Sequence, residues 1–414
     1  MIVQTQKKVP VLRFPGFEKG WEAKPMDKIV NRVSDPVDVK SKELYEQIGI
    51  RSHGKGIFYK DPVTGESLGK KRVFWVKPDV FIVNIVFAWE QAVAKTTNKE
   101  VGMIASHRFP MYQPIKDVSD LDFILDLFLT NRGKYLLGLA SPGGAGRNKT
   151  LGQKEFAELK IKIPSFAEQQ KIAEFLTSID IRIQQLTRKV DLLEQYKKGV
   201  MQQIFSQEIR FKDDQGRDFP DWEEKSLGNI GTTYNGLTGK TKENFGEGKP
   251  YINYKQIFDN SRIDIKKFDF VEIASGEKQS LVKYGDVFFT TSSETPREVG
   301  FASVLLDHVE ELYLNSFCFG YRPKSLKLLL PGFARFLFRS EEFRKKVYRL
   351  AQGSTRYNLS KREMMKLEIL LPTLPEQQKI ADFLTAIDQK ITHTKDQLDQ
   401  MQTFKKGLLQ QMFV

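Results

Sequence analysis

Gly236, Gly239, Lys240 and Thr241 follow one another in the order G-x-x-G-K-T. Backbone N–H groups of a glycine loop closed by Lys and Thr can cradle phosphate, but the phosphate-loop spacing needs two more residues between the glycines. The segment therefore reads as a polar loop able to touch phosphate, not as a nucleotide site. Glu247, Gly248 and Lys249 could end a nuclease motif, but no strand-borne acid pairs with them, and a Gly-Lys turn is the stronger reading. No Asn-Pro-Pro-aromatic or Asp-Pro-Pro-aromatic run occurs, so amino-group methyl transfer is not expected. Cys318, the one cysteine, lies between Phe317 and Phe319 and reads as a buried strand thiol. The four histidines are scattered without zinc-ligand spacing. The chain is thus expected to hold no catalytic set, no metal and no cofactor.

What remains is a series of basic and polar clusters that interrupt apolar strands. In the first half these are Arg51, His53 and Lys55; Lys70, Lys71 and Arg72; His107 and Arg108; and the loop Arg147, Asn148 and Lys149. In the second half they are Tyr234 and Asn235; Lys240, Thr241 and Lys242; Tyr254 and Lys255; Ser292, Ser293 and Arg297; and the loop Thr355, Arg356, Tyr357 and Asn358. Arg and Asn can read base edges through two hydrogen bonds, whereas Lys, Ser and Thr mostly hold phosphates. Each cluster taken singly also fits a solvated loop. As a set they point to nucleic acid.

Charge agrees. The 414 residues carry a net charge of +13. Residues 1–164 hold 27 basic and 18 acidic side chains, and residues 207–372 hold 27 and 24. Segments 165–206 and 373–414 are nearly neutral, with 6 against 5 and 5 against 5. A phosphate grip therefore belongs to the two larger segments, chiefly the first. No apolar run approaches the ~20 residues that span a bilayer, and the first ten residues lack a signal-peptide pattern. The expected setting is soluble and cytoplasmic, without a membrane.

The elements that position these clusters are repeated. PSFAEQQKIAEFLTSIDIRI from Pro164 matches PTLPEQQKIADFLTAIDQKI from Pro372, at a constant offset of 208 residues. The match continues through Lys197, Lys198 and Gly199 against Lys405, Lys406 and Gly407. Ser165 with Glu168, and Thr373 with Glu376, read as capping boxes opening two long helices. Apolar positions then alternate by four and three: Ile172, Leu176, Ile179, Ile183, Leu186, Val190 and Leu193, and in the second copy Ile380, Leu384, Ile387, Ile391, Leu398 and Met401. That spacing predicts a coiled-coil seam. About 40 residues at ~1.5 Å each give roughly 60 Å. Leu12-Arg13-Phe14 with Trp21 is echoed by Ile209-Arg210-Phe211 with Trp222, so the duplication extends upstream.

The order is therefore head 1 (residues 1–163), long helix (164–206), head 2 (207–371), long helix (372–414). The expected fold class is α+β: two mixed α/β heads joined by two long helices in an antiparallel coiled coil with a pseudo-two-fold. A helix is expected over Leu121–Leu139 and another over Phe333–Leu350. The middles of the heads show no mutual similarity in sequence. Lys197 and Lys405 stand at polar seam positions, where a lysine can simply snorkel at the rim. Antiparallel packing would instead bring Lys197 to Glu376 and Lys405 to Glu168, two ion pairs that would set the register.

The paired EQQKIA segments, each closing a head, resemble the repeated regions of specificity subunits from type I restriction–modification systems. The resemblance covers essentially the whole chain. It implies two target-recognition domains that read the two halves of a bipartite double-stranded DNA site. It implies helices that serve as ruler and as dock for two methyltransferase subunits, joined by two restriction subunits. S-adenosylmethionine would then be used on the methyltransferase subunits, and ATP with Mg on the restriction subunits. The frame carries the resemblance; single base contacts do not carry over. The rival expectations are a non-catalytic coiled-coil adaptor whose heads bind proteins and, below it, a nuclease.

Overall fold

The structure, a computed structural model, describes residues 9–143 and 149–414. The chain divides into two compact units, Met1–Thr187 with Asp396–Val414, and Arg188–Lys395. The boundaries cut through both long helices, Phe166–Phe205 and Leu374–Met412. Each unit thus holds one head, the start of one long helix and the end of the other.

In the first unit, strand Glu22–Pro25 pairs antiparallel with Lys160–Ile163, tying the beginning of head 1 to its end. A four-stranded antiparallel sheet runs Val30–Val33, Met111–Pro114, Phe81–Val83, Val93–Lys95. A second sheet runs Ile57–Thr64, Leu44–Ile50, Ile104–Ser106, Val73–Trp75, its middle pair parallel. The helix expected over Leu121–Leu139 is two helices, Leu121–Leu129 and Asn131–Leu139. Thr130 leaves the helical conformation between them and caps the second by accepting from Gly133 N. Gly133 is required, because a Cβ there would lie 2.2 Å from the Leu127 carbonyl oxygen.

The second unit repeats this frame. Glu223–Ser226 pairs with Glu368–Leu371. A four-stranded antiparallel sheet runs Gly231–Asn235, Cys318–Pro323, Val287–Thr290, Ala302–Val304. The first, last, second and third strands are neighbours in that order, as in the first unit, so the head middles share a sheet that their sequences hide. The remainder differs: two three-stranded sheets replace the second four-stranded one. The helix expected over Phe333–Leu350 is likewise broken, into Pro331–Leu337 and Glu341–Tyr348, with Ser340 accepting from Phe343 N.

Both units are closed by the same aromatic trio. Trp21, Phe123 and Phe413 pack at ring-centroid distances of 5.7, 6.3 and 5.2 Å. Trp222, Phe333 and Phe205 pack at 6.3, 6.3 and 5.7 Å. Phe205 and Phe413 are the 208-residue equivalents at the two helix ends. A core of this kind cannot form from a head alone; it needs the beginning of one helix and the end of the other. The predicted seam residues are all buried or half-buried. Thr394, buried with its hydroxyl on the Lys390 carbonyl, fills the seam place that Leu186 holds in the first copy.

The capping boxes do not form as expected. Ser165 accepts from Glu168 N at 3.4 Å, but the Thr373 hydroxyl is buried without a partner among the described residues. The two glutamates do not reach back to their own helix starts. Glu168, 1% exposed, accepts from Arg13 Nε and Nη2 at 2.6 and 2.7 Å and from Trp21 Nε1 at 3.4 Å. Glu376, fully buried, accepts from Arg210 at 2.9 and 2.9 Å and from Trp222 at 3.2 Å. Each carboxylate, just past a head's end, thus cinches the segment that starts that head. Gln169 and Gln377 repeat a second device: each accepts from a helix-opening backbone N–H (Asp120, Leu330) and donates to two carbonyls.

The expected register pairs do not form among the described residues. Lys197 pairs with Asp388 at 2.6 Å, and Lys405 with Asp180 at 2.6 Å. Lys395 with Glu194 at 2.7 Å shows the antiparallel sense within the second unit, since one number rises as the other falls. Asp388 lies about 18 Å along the helix from Glu376 at ~1.5 Å per residue, and Asp180 lies as far from Glu168, so within each unit the register differs from the expected one by that much.

Candidate nucleic-acid interface

The second sheet of head 1 explains why its basic clusters belong together. Leu44–Ile50 runs parallel to Ile104–Ser106, with Gln47 opposite Ile104, so Ile50 and Ser106 end at the same edge. Val73–Trp75 runs antiparallel, with Val73 opposite Ser106, and Ile57 lies opposite Ile50. The hairpin loop 51–56, the approach Lys70–Arg72 and the turn His107–Arg108 therefore emerge from one edge. Four strands ~4.8 Å apart make that edge roughly 15 Å wide.

The loops are fixed by backbone bonds. His107 N donates to Arg72 O at 3.1 Å. His53 N donates to Glu90 O at 2.7 Å, and His53 takes a left-handed φ of 60° that turns the hairpin. Arg51 lies over the Phe58 ring at 5.1 Å, which leaves its guanidinium edge open. The loop beyond residue 148 joins the same edge: Leu151 N donates to Ile85 O, and Ile85 N to Arg108 O. Lys149 stands over the Trp89 ring at 6.0 Å. Arg147 and Asn148 lie outside the described residues. Arg51, His53, Lys55, Lys70, Lys71, Arg72, His107 and Arg108 are all exposed, and none is ion-paired among the described residues. A concentration of unpaired cations on a fixed edge suits a polyanion.

Head 2 gathers a smaller set. Strand Ser292–Ser293 pairs with Tyr357–Leu359, so Asn358 stands opposite Ser292 and Tyr357 opposite Ser293. Tyr254, opening helix Tyr254–Asp259, donates its hydroxyl to Ser292 O at 2.8 Å. Burial pushes that phenol upward, and nearby Arg356 partly offsets it. Arg297 sits on the turn Pro296–Glu298 that follows. Lys255, Arg297, Thr355, Arg356 and Asn358 are exposed around this junction. Asn235 is exposed at the sheet end, and its amide oxygen accepts from Lys361, a residue that the sequence reading missed.

Several expected contacts are used internally instead. Tyr234 packs its ring on Gly320, where a Cβ would come within 2.1 Å, and donates to Asp286 at 2.6 Å beneath Arg322. Lys240 is paired with Glu277 at 2.6 Å and is 7% exposed; that pair and Gln279 hold the Glu277 carboxyl down at about 2. Ser292 and Ser293 are buried in their strand, and Ser293 donates to Glu298 at 3.2 Å. Thr241 caps the turn Lys242–Asn244; both residues remain exposed. Gly236 serves a close approach, because a Cβ would meet the Asn315 carbonyl at 2.1 Å. The Gly-Lys segment is thus a packed turn. Cys318 is buried as expected, with its thiol pushed upward by burial.

No group of acidic, histidine or cysteine side chains suited to a metal occurs among the described residues. Nor is any helix among them long and apolar enough to cross a membrane.

Comparison with known proteins accords with this geometry. A family model described as the type I restriction modification DNA specificity domain matches residues 20–195 and 220–402, one match per head with its helix. The type I restriction enzyme MjaVIII specificity subunit of Methanocaldococcus jannaschii is 24% identical over 263 residues, 62% of each chain. The putative MjaX specificity subunit of the same organism is 25% identical over 278 residues, 64% of this chain and 61% of that one. The chain therefore spans about three-fifths of the length of the curated relatives it matches. Among solved structures, the HsdS subunit from Thermoanaerobacter tengcongensis aligns over 96% of this chain and 97% of its own, with a TM-score of 0.53 and 15% identity. The S subunit of a type I restriction-modification system from M. genitalium covers 98% and 99%, with a TM-score of 0.55 and 14% identity. These structures share the fold.

Proposed function

Given that the chain belongs to the type I restriction–modification DNA specificity family, we propose that each head reads one half of a bipartite duplex site. The long helices hold the two readers at a fixed spacing and carry two methyltransferase subunits, which two restriction subunits join. S-adenosylmethionine acts on the methyltransferase subunits and ATP with Mg on the restriction subunits. The chain itself contributes recognition and no chemistry, and it works on cytoplasmic DNA.

The observation that carries this reading is the shared sheet edge of head 1, where three sequence-distant basic segments converge, not ion-paired among the described residues. Phosphate grip supplies most non-specific affinity, and base contacts on the same loops supply the sequence. Head 2 neutralises more of its cations internally, through pairs such as Lys240–Glu277, Arg322–Asp286 and Arg335–Asp388. Head 1 then contributes more of the salt-dependent affinity, and head 2 relies more on shape and base contact.

The test is duplex binding as a function of salt. Six to ten phosphate contacts predict a loss of about 10³–10⁵ in affinity between 50 and 200 mM salt. A flat salt response would favour a protein-binding adaptor.

A further inference from the structure

Two arginines of head 2 stand outside every basic cluster legible in the sequence, and neither is ion-paired among the described residues. Arg339 donates Nε to Ala302 O at 2.6 Å, and Nη2 to the carbonyls of Ile257, Phe258 and Asn260 at 2.6, 2.9 and 2.7 Å. Arg344, 6% exposed, donates Nη1 to Gly300 O at 2.6 Å, and Nη2 to the carbonyls of Arg297 and Val299 at 2.8 and 2.6 Å. Both guanidiniums stack on Phe301, at 4.8 and 4.5 Å. Burial brings both down to about 10, a cost that a carboxylate partner would have removed. The guanidinium spreads its N–H donors over a planar fork that spans these carbonyls, whereas the three donors of an ammonium radiate from one nitrogen and do not match that geometry.

The carbonyls they hold identify what they fix. Ile257, Phe258 and Asn260 end the helix that begins with Tyr254 and Lys255, and its last carbonyls lack partners within the helix. Arg297, Val299 and Gly300 form the turn that presents Arg297 and its exit. The frame itself does not demand guanidiniums here. Aligning the caps Thr130 and Ser340 puts Leu129 and Lys134 at the equivalent places in head 1. Head 1 ties its break with Gln91, whose amide spans the carbonyls of Phe128 and Thr130.

We propose that Arg339 and Arg344 are positioning residues for half-site recognition by head 2. They set where Tyr254, Lys255 and Arg297 stand and touch no DNA themselves. The proposal rests on head 2 being a DNA reader.

The test compares wild type, Arg344→Lys, Arg344→Ala and Arg297→Ala in the full chain. The probes are the target duplex found by mapping modified bases, the same duplex with either half scrambled, and random duplex. Arg344→Lys should lose about ten- to hundredfold in preference for the intact head 2 half. Its preference for the head 1 half, and its salt slope on random duplex, should not change. Arg297→Ala should reproduce the loss with the melting temperature unaltered. Guanidinium ion should restore part of the preference in Arg344→Ala, whereas sodium at equal ionic strength should not. An Arg344→Lys chain that melts earlier yet keeps its preference would overturn the proposal. So would an Arg297→Ala chain that keeps it, which stands in if the Arg344 variants do not fold. A wild-type chain indifferent to the head 2 half would instead sink the reading of head 2 as a DNA reader.

Discussion

Replacing Glu376 by Gln removes a charge but little volume. The carboxylate is fully buried and accepts three hydrogen bonds, two of them from Arg210, itself 23% exposed. A buried carboxylate stripped of its charge leaves the guanidinium uncompensated, and breaking such a pair from one side costs about 3–5 kcal/mol. Arg210 keeps some solvent and a second, fully exposed partner, Asp221 at 3.6 Å, so the lower end, about 3 kcal/mol, applies. For a unit of roughly 200 residues, each kcal/mol moves the melting midpoint by about 2–4 °C. The second unit should therefore melt about 6–12 °C earlier. Glu168→Gln should do the same to the first unit, through Arg13 and Trp21. Hydrogen exchange followed by mass spectrometry reads the units separately: Glu376→Gln should speed exchange in residues 207–395 and leave residues 20–140 at the wild-type rate. A melting shift below about 2 °C, or equal acceleration in both units, would refute the idea that this carboxylate closes its own head.

Phe413→Ala empties the aromatic trio of the first unit and should cost about 3–5 kcal/mol there, read by the same exchange experiment. Asp126 gives a pH dependence. Burial lifts its carboxyl to about 7, with Lys405 and Lys95 opposing and Asp180 and Asp122 adding to the rise. The folded state holds this proton more tightly than the unfolded state, so the contribution is full below about pH 4 and lost as pH rises through 7. It is on the order of 4 kcal/mol. Asp126→Asn should flatten the fall in first-unit stability between pH 4 and 7, measured by denaturant unfolding. Lys70→Ala, Lys71→Ala and Arg72→Ala together should reduce the slope of log affinity against log salt on random duplex by about 2.7 if all three meet phosphates. An unchanged slope would remove that edge from the interface.

The frame was legible because it is repeated and local. A 208-residue offset and a four–three apolar alternation survive in any fold, and the long helices form over nearly the expected spans. Long-range partners were not legible. Glu168 and Glu376 sit where a capping box wants them, but Arg13 and Arg210, more than 150 residues upstream, hold them. Lys197 and Lys405 stand opposite Asp388 and Asp180 instead, a register that the repeat alone does not specify. The shared four-stranded sheet was hidden because a buried strand needs only apolar, β-compatible residues, and Phe81-Ile-Val83 and Val287-Phe-Phe289 satisfy that without matching. Among the candidate contacts, exposure divided the set. Loop cations at the strand ends stayed unpaired among the described residues, whereas Tyr234 and Lys240, adjacent to acids that only the fold brings near, did not. Arg339 and Arg344 gave no signal at all, since their partners are backbone atoms 37 to 82 residues away.

The central claim is that two heads read two halves of one site. Its most direct test is single-molecule mapping of modified bases in cells carrying this chain, and in cells where residues 207–371 are replaced by the corresponding head of a related subunit. The account predicts one bipartite modified motif for the wild type, and a motif with only one half changed and the spacer kept after the exchange. A motif changed in both halves, or one that persists when the chain is deleted, would contradict it.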